Sequence, residues 1–313
     1  MINRPRILFM GTPAFALSAL EILHDNHYPI IAVVTQPDRP AGRGQKEIAP
    51  PVKWLAQKSG LTVLQPPKVK DQEFLETLYS LNPDMIVVSA FGQILPGAII
   101  NFPRFGCLNI HPSLLPRYRG AAPLNWSIIR GETTTGVTIM MMDEGMDSGD
   151  ILMQEETPLN ATETCGELHD RLANLGAKLL IKTIEQVVAG TAQRQKQDAS
   201  HVTFAPRLTK ETGKINWHDG IFNIVNLIRG LSPTPAAYSS LDGQALKIFT
   251  AEGQPCLVNL PPGAIGIPCP AGLPVAAADG YVILKDVQLA GKKRMHINDF
   301  LRGYRIKTGS VLV

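Results

Sequence analysis

The first 35 residues leave this chain little choice of architecture. An apolar pentapeptide, RILFM (Arg6–Met10), enters a one-glycine turn, GTPAF; a helically spaced pattern, FALSALEIL, and a second apolar run, IIAVVT (Ile30–Thr35), follow. Two buried strands joined through a helix read as β-α-β, which commits the domain to a parallel sheet. Thr12 and Pro13 suit the cap and first turn of that helix. A dinucleotide fingerprint needs three glycines at fixed spacing, so the topology is Rossmann-like without a dinucleotide site.

The same pattern continues downstream. Pro51–Gly60 and Asp71–Leu81 read as helices and Leu61–Gln65 as a short strand. MIVVSA (Met85–Ala90) is an uninterrupted apolar run, as expected of a central parallel strand covered on both faces. It ends in FGQILP (Phe91–Pro96), a turn at the carboxyl end of a strand, where open α/β sheets bind ligands. CLNI, GVTIMMM (Gly136–Met142) and Ile151–Glu155 are further strands. Thr164 and Glu167 have capping-box spacing, Leu168, Leu172, Leu175 and Leu179 recur at helical intervals, and Gly190 suits the position after the last turn. A first domain over residues 1–190 is therefore expected. Residues 191–208 are polar and Gln-rich and read as a linker. Residues 209–313 hold one helical stretch, Phe222–Arg229, and β-like runs (ALKIFT, GYVILKDVQL, GSVLV) between Gly/Pro turns. The expected class is α/β: a Rossmann-like, mostly parallel sheet domain, then a smaller C-terminal β-barrel of OB-like type.

Composition excludes more than it names. With 313 residues, 44% hydrophobic and 18% charged, the chain has room for two globular domains. No apolar run approaches the ~20 residues of a membrane span, and the N-terminus lacks a signal-peptide core, so a cytoplasmic location is expected. Cys107, Cys165, Cys256 and Cys269 form no CxxC pair and show no zinc-ligand spacing, so they read as ordinary thiols and no metal is expected. Residues 207–313 carry 12 Lys+Arg against 7 Asp+Glu, net +5, leaving −2 of the total +3 for the rest. A basic C-terminal part suits a polyanion, and equally a solvated face.

Chemistry concentrates in Cys107–Gly120, CLNIHPSLLPRYRG. Residues two apart on a strand share a face, so Asn109 and His111 converge, and Pro112 and Pro116 stop the strand beyond them. Past the next apolar run lies DEGMDSGD (Asp143–Asp150), a turn crowded with carboxylates. An amide donor, an imidazole and a carboxylate at neighbouring strand ends are the parts of an acyl-transfer site without a covalent nucleophile. Gln36–Lys46, QPDRPAGRGQK, reads as a flexible basic loop: Pro40, Gly42 and Gly44 break regular structure, and Arg39, Arg43 and Lys46 suit phosphates. Each feature alone also suits a bland role, whether a satisfied structural pair, a shaped turn or a solvated loop.

Taken jointly, NIHPSLLPRYRGAAP and GVTIMMMDEGMDSGDI resemble the signature of the folate-dependent formyltransferase family, which moves a formyl group from 10-formyltetrahydrofolate to an amine. GTPAFA, TQPDRPAGRGQK and the C-terminal QLAGKKRM resemble its tRNA-directed branch, and the resemblance spans essentially the whole chain. It implies Asn109 as donor to the oxyanion, and His111 as a second donor or as the acid for the departing folate nitrogen. It implies Asp147 as the catalytic aspartate that orients His111 and accepts the amine proton, with Asp143 and Asp150 structural. Ser113, Leu114, Leu115 and Pro116 would contact the folate, and Phe91, Gly92, Ile94 and Leu95 would enclose the pterin. Arg39, Arg43 and Lys46 would reach acceptor-stem phosphates, with Lys292 and Lys293 adding electrostatic grip. The implied reaction is formylation of initiator methionyl-tRNA by a monomer, with neither a metal nor a covalent intermediate.

One departure stands out: Ser232-Pro-Thr-Pro235 carries Thr234 where the family has an aromatic residue between prolines. Three alternatives share the scaffold. An N-formyltransferase acting on an amino-sugar nucleotide would leave the PDRPAGRG loop without a purpose. A glycinamide ribonucleotide formyltransferase would leave the last third of the chain unexplained. A non-catalytic RNA-binding protein would not need intact Asn109, His111 and Asp147.

Overall fold

A computed structural model describes residues 4–41, 46–306 and 309–313. The chain runs β1 (Ile7–Gly11), α1 (Leu17–Asp25), β2 (Ile30–Val34), β3 (Arg39–Ala41), β4 (Lys46–Ile48), α2 (Pro51–Lys58), β5 (Val63–Leu64), α3 (Gln72–Leu81) and β6 (Met85–Ser89). It continues through α4 (Gly97–Ile100), β7 (Cys107–His111), β8 (Arg119–Gly120), α5 (Pro123–Ile129), β9 (Thr134–Met141), β10 (Ile151–Pro158), α6 (Cys165–Ala189) and β11 (Phe204–Ala205). The last elements are α7 (Ile221–Leu231), β12 (Ala237–Leu241), β13 (Gln244–Pro255), β14 (Leu273–Ala276), β15 (Gly280–Leu289), β16 (Met295–His296) and α8 (Ile297–Gly303). Two compact units result: Met1–Gly120 with Thr135–Thr157 and His169–Phe204, and Ala121–Thr134 with Pro158–Leu168 and Ala205–Val313.

The first unit is built on a seven-stranded sheet ordered β10-β9-β7-β6-β1-β2-β5. Pairs β5–β2, β2–β1, β1–β6 and β6–β7 are parallel, and β7–β9 is antiparallel. The expected α/β class with a mostly parallel sheet is what forms. Every residue of β1 and β6 is buried, as their unbroken apolar runs require. On one face Leu8, Met10, Ile86 and Val88 pack with Phe74, Leu78 and Ile99. On the other, Gly176 lets α6 approach so closely that an added Cβ would press on Ile110 and Val137. Strand order reverses between β1 and β6, which makes their carboxyl ends the switch point where such sheets bind ligands.

The capping box at the start of α6 is present. Thr164 N–H donates to Glu167 Oε2 at 2.8 Å, and Glu167 N–H to Thr164 Oγ1 at 3.4 Å. The Thr164 N–H, foremost, and the Thr164 hydroxyl, which also donates to Glu167 Oε2 at 2.8 Å, hold the Glu167 carboxyl below its usual range. Gly190 ends the helix at φ +69°.

Three local expectations give way to tertiary structure. Thr12 does not cap the first helix: the chain first makes a 3-10 turn, Ala14–Ala16, and the Thr12 hydroxyl donates to the Phe91 carbonyl at 2.8 Å. Gln36–Lys46 is not all loop, because β3 and β4 pair antiparallel with Arg39 opposite Ile48. Pro40 is tolerated there because a two-stranded ribbon leaves an edge needing no N–H. Arg43 and the side chain of Lys46 lie outside the described residues. GSVLV contributes a single bridge, Val311 to Ala264, in place of a strand.

The second unit carries an antiparallel sheet ordered β12-β13-β15-β14, with β16 paired to β15. One stripe of α7, Ile221, Ile224, Ile228 and Leu231, joins Leu246, Ile248, Val282 and Leu284 in its core. Thr234 is exposed, so an aromatic side chain at this position would have no core to fill. No helix among the described residues is long and apolar enough to cross a membrane.

Candidate active site

Strand β7 ends at the site, and its period of two sets the first pair of side chains. Asn109 and His111 face away from Ile110, the residue packed on α6. His111 is buried, and its Nε2 lies 3.0 Å from the Tyr118 carbonyl oxygen. A carbonyl only accepts, so Nε2 carries hydrogen and Nδ1 is the ring atom left for other work. The Asn109 side chain is half-buried and has no protein partner among the described residues. Its amide is free to donate to a substrate.

Asp147 comes to this pair from the turn after β9. Its Oδ1 stands 3.7 Å from His111 Nδ1, while its Oδ2 accepts the Gly120 N–H at 2.8 Å. The turn is held by its backbone. Gln197 Nε2 donates to the carbonyls of Asp147 and Gly149, both at 2.8 Å, and Gln197 Oε1 accepts from Arg119 Nε and Nη2 at 3.0 and 2.7 Å. Asp147 sits at φ +51°, Tyr118 at φ +63° and Ala90 at φ +47°. A left-handed residue other than glycine costs ~1–2 kcal/mol, and these three lie in the segments that follow β6, β7 and β9; such strain clusters at functional sites.

Structure thus brings Asn109, His111 and Asp147 together. Asp143 is occupied differently, accepting from Ser148 Oγ at 2.8 Å within its own turn. Desolvation pushes the Cys107 thiol up and the Cys165 thiol up to about 12, so neither buried cysteine offers a thiolate nucleophile. No group of three or more His, Cys, Asp or Glu able to hold a metal occurs among the described residues.

The two expected folate segments differ in what they leave available. In Ser113–Pro116 most polar groups are already bonded. Ser113 Oγ donates to Arg117 O at 2.7 Å, Thr138 Oγ1 donates to Ser113 O at 2.6 Å and accepts from Leu115 N–H at 3.1 Å, and Gln154 Nε2 donates to Leu115 O at 2.8 Å. Leu115 is buried against Met140 and Ile151, so Leu114 and Pro116 are the half-buried surfaces this segment offers. The 91–96 turn is the reverse case. Phe91 and Leu95 are buried and Ile94 is exposed; from Gly92 to Leu95 no backbone N–H or C=O has a protein partner among the described residues. Gly92, at φ +87°, supplies the turn.

Among the basic residues, Arg39 is exposed and donates to Gln36 Oε1 at 3.1 Å. Lys292 and Lys293 are exposed in the turn between β15 and β16 and form no ion pair among the described residues. Arg294 is engaged, paired with Asp286 at 2.7 Å and lying over the Phe249 ring. These lysines and the β3–β4 ribbon belong to separate units.

Sequence reasoning missed Gln197, Thr138, Gln154 and Gln36. Thr138 left one signal, as a polar residue inside an apolar strand. The glutamines left none, because each donates its amide N–H to a backbone carbonyl supplied by a distant segment.

The model of the formyl transferase family matches residues 5–184, and that of the formyl transferase C-terminal domain matches residues 207–305. A methionyl-tRNA formyltransferase of Syntrophus aciditrophicus is 57% identical over 98% of this chain and 98% of its own length. One from Geotalea uraniireducens is 50% identical over 98% of this chain and 97% of its own. Among solved structures, an N-formyltransferase of Helicobacter canadensis in complex with folinic acid and dTDP-3-aminofucose superposes with a TM-score of 0.67. It covers 92% of this chain and 99% of its own, and at 21% identity it speaks to the fold alone. On identity and coverage together, the chain belongs to the formyl transferase family, among the methionyl-tRNA formyltransferases.

Proposed function

We propose that this chain transfers the formyl group of 10-formyltetrahydrofolate to the amine of initiator methionyl-tRNA. The observation that carries the reading is the pairing of a free Asn109 amide with a His111 ring whose Nδ1 faces the Asp147 carboxylate at 3.7 Å. That separation exceeds a hydrogen bond, so both groups remain available to a reacting centre beside them.

Attack of the neutral amine on the formyl carbon forms a C–N bond and an oxyanion. The Asn109 N–H donates to that oxygen, an interaction worth ~10²–10³ in rate, and His111 adds a second donor through Nδ1. Asp147 takes the proton from the cationic nitrogen directly or through water, and His111 returns a proton to the folate nitrogen as its C–N bond breaks. Asp147 then passes the proton it took to His111, 3.7 Å away, so that tetrahydrofolate and formylated amine leave and both side chains regain their starting protonation. The unpaired backbone groups of Gly92–Leu95 suit the edge of a pterin, and Leu114 and Pro116 its apolar face.

On this reading residues 1–190 form the catalytic domain, 191–208 the linker and 209–313 a tRNA-binding domain of OB-like barrel type. The register shifts around Thr250 in β13 fit the coiling a small barrel needs. Arg39, Arg43 and Lys46 of the Gln36–Lys46 stretch and Lys292 and Lys293 in the C-terminal part supply the phosphate contacts. The enzyme acts as a monomer in the cytoplasm. An amino-sugar nucleotide acceptor is disfavoured, because relatives 57% and 50% identical to this chain, matched over 98% and 97% of their own length, carry the tRNA name.

The test is formyl transfer from 10-formyltetrahydrofolate to charged initiator tRNA, with an amino-sugar nucleotide in parallel. Formylmethionyl product supports the reading, and turnover of the amino sugar alone overturns it.

A further inference from the structure

One buried side chain joins the two substrate regions of the first unit. Gln36, 8% exposed, donates through Nε2 to the Phe91 carbonyl at 3.3 Å and accepts from Arg39 Nη2 at Oε1, 3.1 Å away. Phe91 opens the turn whose following backbone groups are free, and Arg39 begins the β3–β4 ribbon. Both functional groups of one amide are thus committed, one to each region. The backbone of Gln36 is fixed too: its carbonyl accepts from Gln65 Nε2 at 2.9 Å, and its N–H donates to Thr12 Oγ1 at 3.4 Å. Gln65 Nε2 also reaches Asp38 Oδ1 at 2.7 Å, and Asp38 pairs with Lys53 at 2.6 Å. Gln36 therefore sits in a braced frame, and its side chain is the direct link between ribbon and turn.

We propose that Gln36 is a positioning residue that couples folate binding at the 91–96 turn to tRNA binding at the β3–β4 ribbon, so that each substrate tightens the other. The inference rests on the functional reading above. A pterin edge bonded to Gly92–Leu95 fixes the Phe91 carbonyl; that orients the Gln36 amide, and the amide oxygen in turn holds the Arg39 guanidinium. Arg39 is exposed and would otherwise lose side-chain entropy on meeting phosphate. Fixing it beforehand strengthens its contact, and by linkage the same factor returns to the folate.

Two variants separate the halves of the link. Gln36→Glu keeps an acceptor for Arg39 but sets a carboxylate against the Phe91 carbonyl, which still has Thr12 as donor. Arg39→Met removes the other end at an exposed position, at the cost of the one hydrogen bond to Gln36 Oε1. The measurement is tetrahydrofolate affinity with and without saturating methionyl-tRNA, a pair that binds without reacting because no formyl group is present. For the wild type the affinity ratio is expected to be at least ~5, within the ordinary range of coupling between sites, and for either variant below ~2. Melting curves confirm that both variants fold, and methionyl-tRNA affinity with and without tetrahydrofolate must give the same ratio. A ratio near one in the wild type, or an unchanged ratio in both variants, overturns the coupling while leaving the formyl-transfer reading intact. Absence of tetrahydrofolate or methionyl-tRNA binding to the wild type overturns that reading, and this inference with it.

Discussion

Nδ1 of His111 stands 3.7 Å from Oδ1 of Asp147, near enough for charge to act and too far for a direct hydrogen bond. The gap follows from how each group is tethered, His111 by the Tyr118 carbonyl and Asp147 by the Gly120 N–H. Substituting Asp147 by Asn keeps an acceptor for Gly120 and a residue at ease at φ +51°, and removes only the charge. The expected result is a kcat lower by at least ~10² with an unchanged melting temperature, read by steady-state kinetics and calorimetry. Asp147→Ala should lower kcat similarly and also the melting temperature, because alanine is strained in the left-handed region.

Asn109→Ala isolates the oxyanion donor. With no protein partner to lose, the variant should melt with the wild type while kcat falls ~10²–10³. A normal kcat with a raised KM would assign the amide to binding.

Gln197 and Arg119 should act as one unit in holding the 147–149 turn. Gln197→Ala is expected to lower kcat ~10-fold, and a double-mutant cycle with Arg119→Ala should be strongly non-additive. Additive losses would mean that Arg119 does not work through Gln197.

Gly149 tests how tightly that turn is packed. A Cβ there would meet the Met141 carbonyl oxygen, a backbone atom unable to step aside. Gly149→Ala should destabilise by at least ~2 kcal/mol in urea titration and reduce activity with it.

A pH signature is expected at the start of α6. Hydrogen bonds from Thr164 depress the Glu167 carboxyl in the folded state, so its contribution is present above the unfolded pKa and is lost as pH falls through the folded one. Glu167→Ala should cost about 1 kcal/mol at pH 7, and its difference from the wild type should shrink below about pH 4. A difference constant with pH would remove the carboxylate from the cap.

What could be read from the sequence followed physical range. The convergence of Asn109 and His111 was legible because a strand alternates with a fixed period of two, and the Thr164–Glu167 cap because both partners lie within one helical turn. Thr12 misled because a local cap competed with a carbonyl 79 residues away, and the tertiary partner won. The β3–β4 ribbon was hidden by Pro40 and two glycines, residues that break long strands and are tolerated in a short two-stranded one. Gln197 and Gln36 donate to backbone carbonyls of distant segments, which every residue carries, so those donations left no side-chain pattern to read.

The most direct test of the central claim is a single-turnover assay with 10-formyltetrahydrofolate and charged initiator methionyl-tRNA, comparing wild type with Asp147→Asn. The account predicts formylmethionyl-tRNA from the wild type and a chemical step at least ~10² slower in the variant, with both substrates still bound. Equal single-turnover rates, or no product on the tRNA beside turnover of an amino-sugar nucleotide, would contradict it.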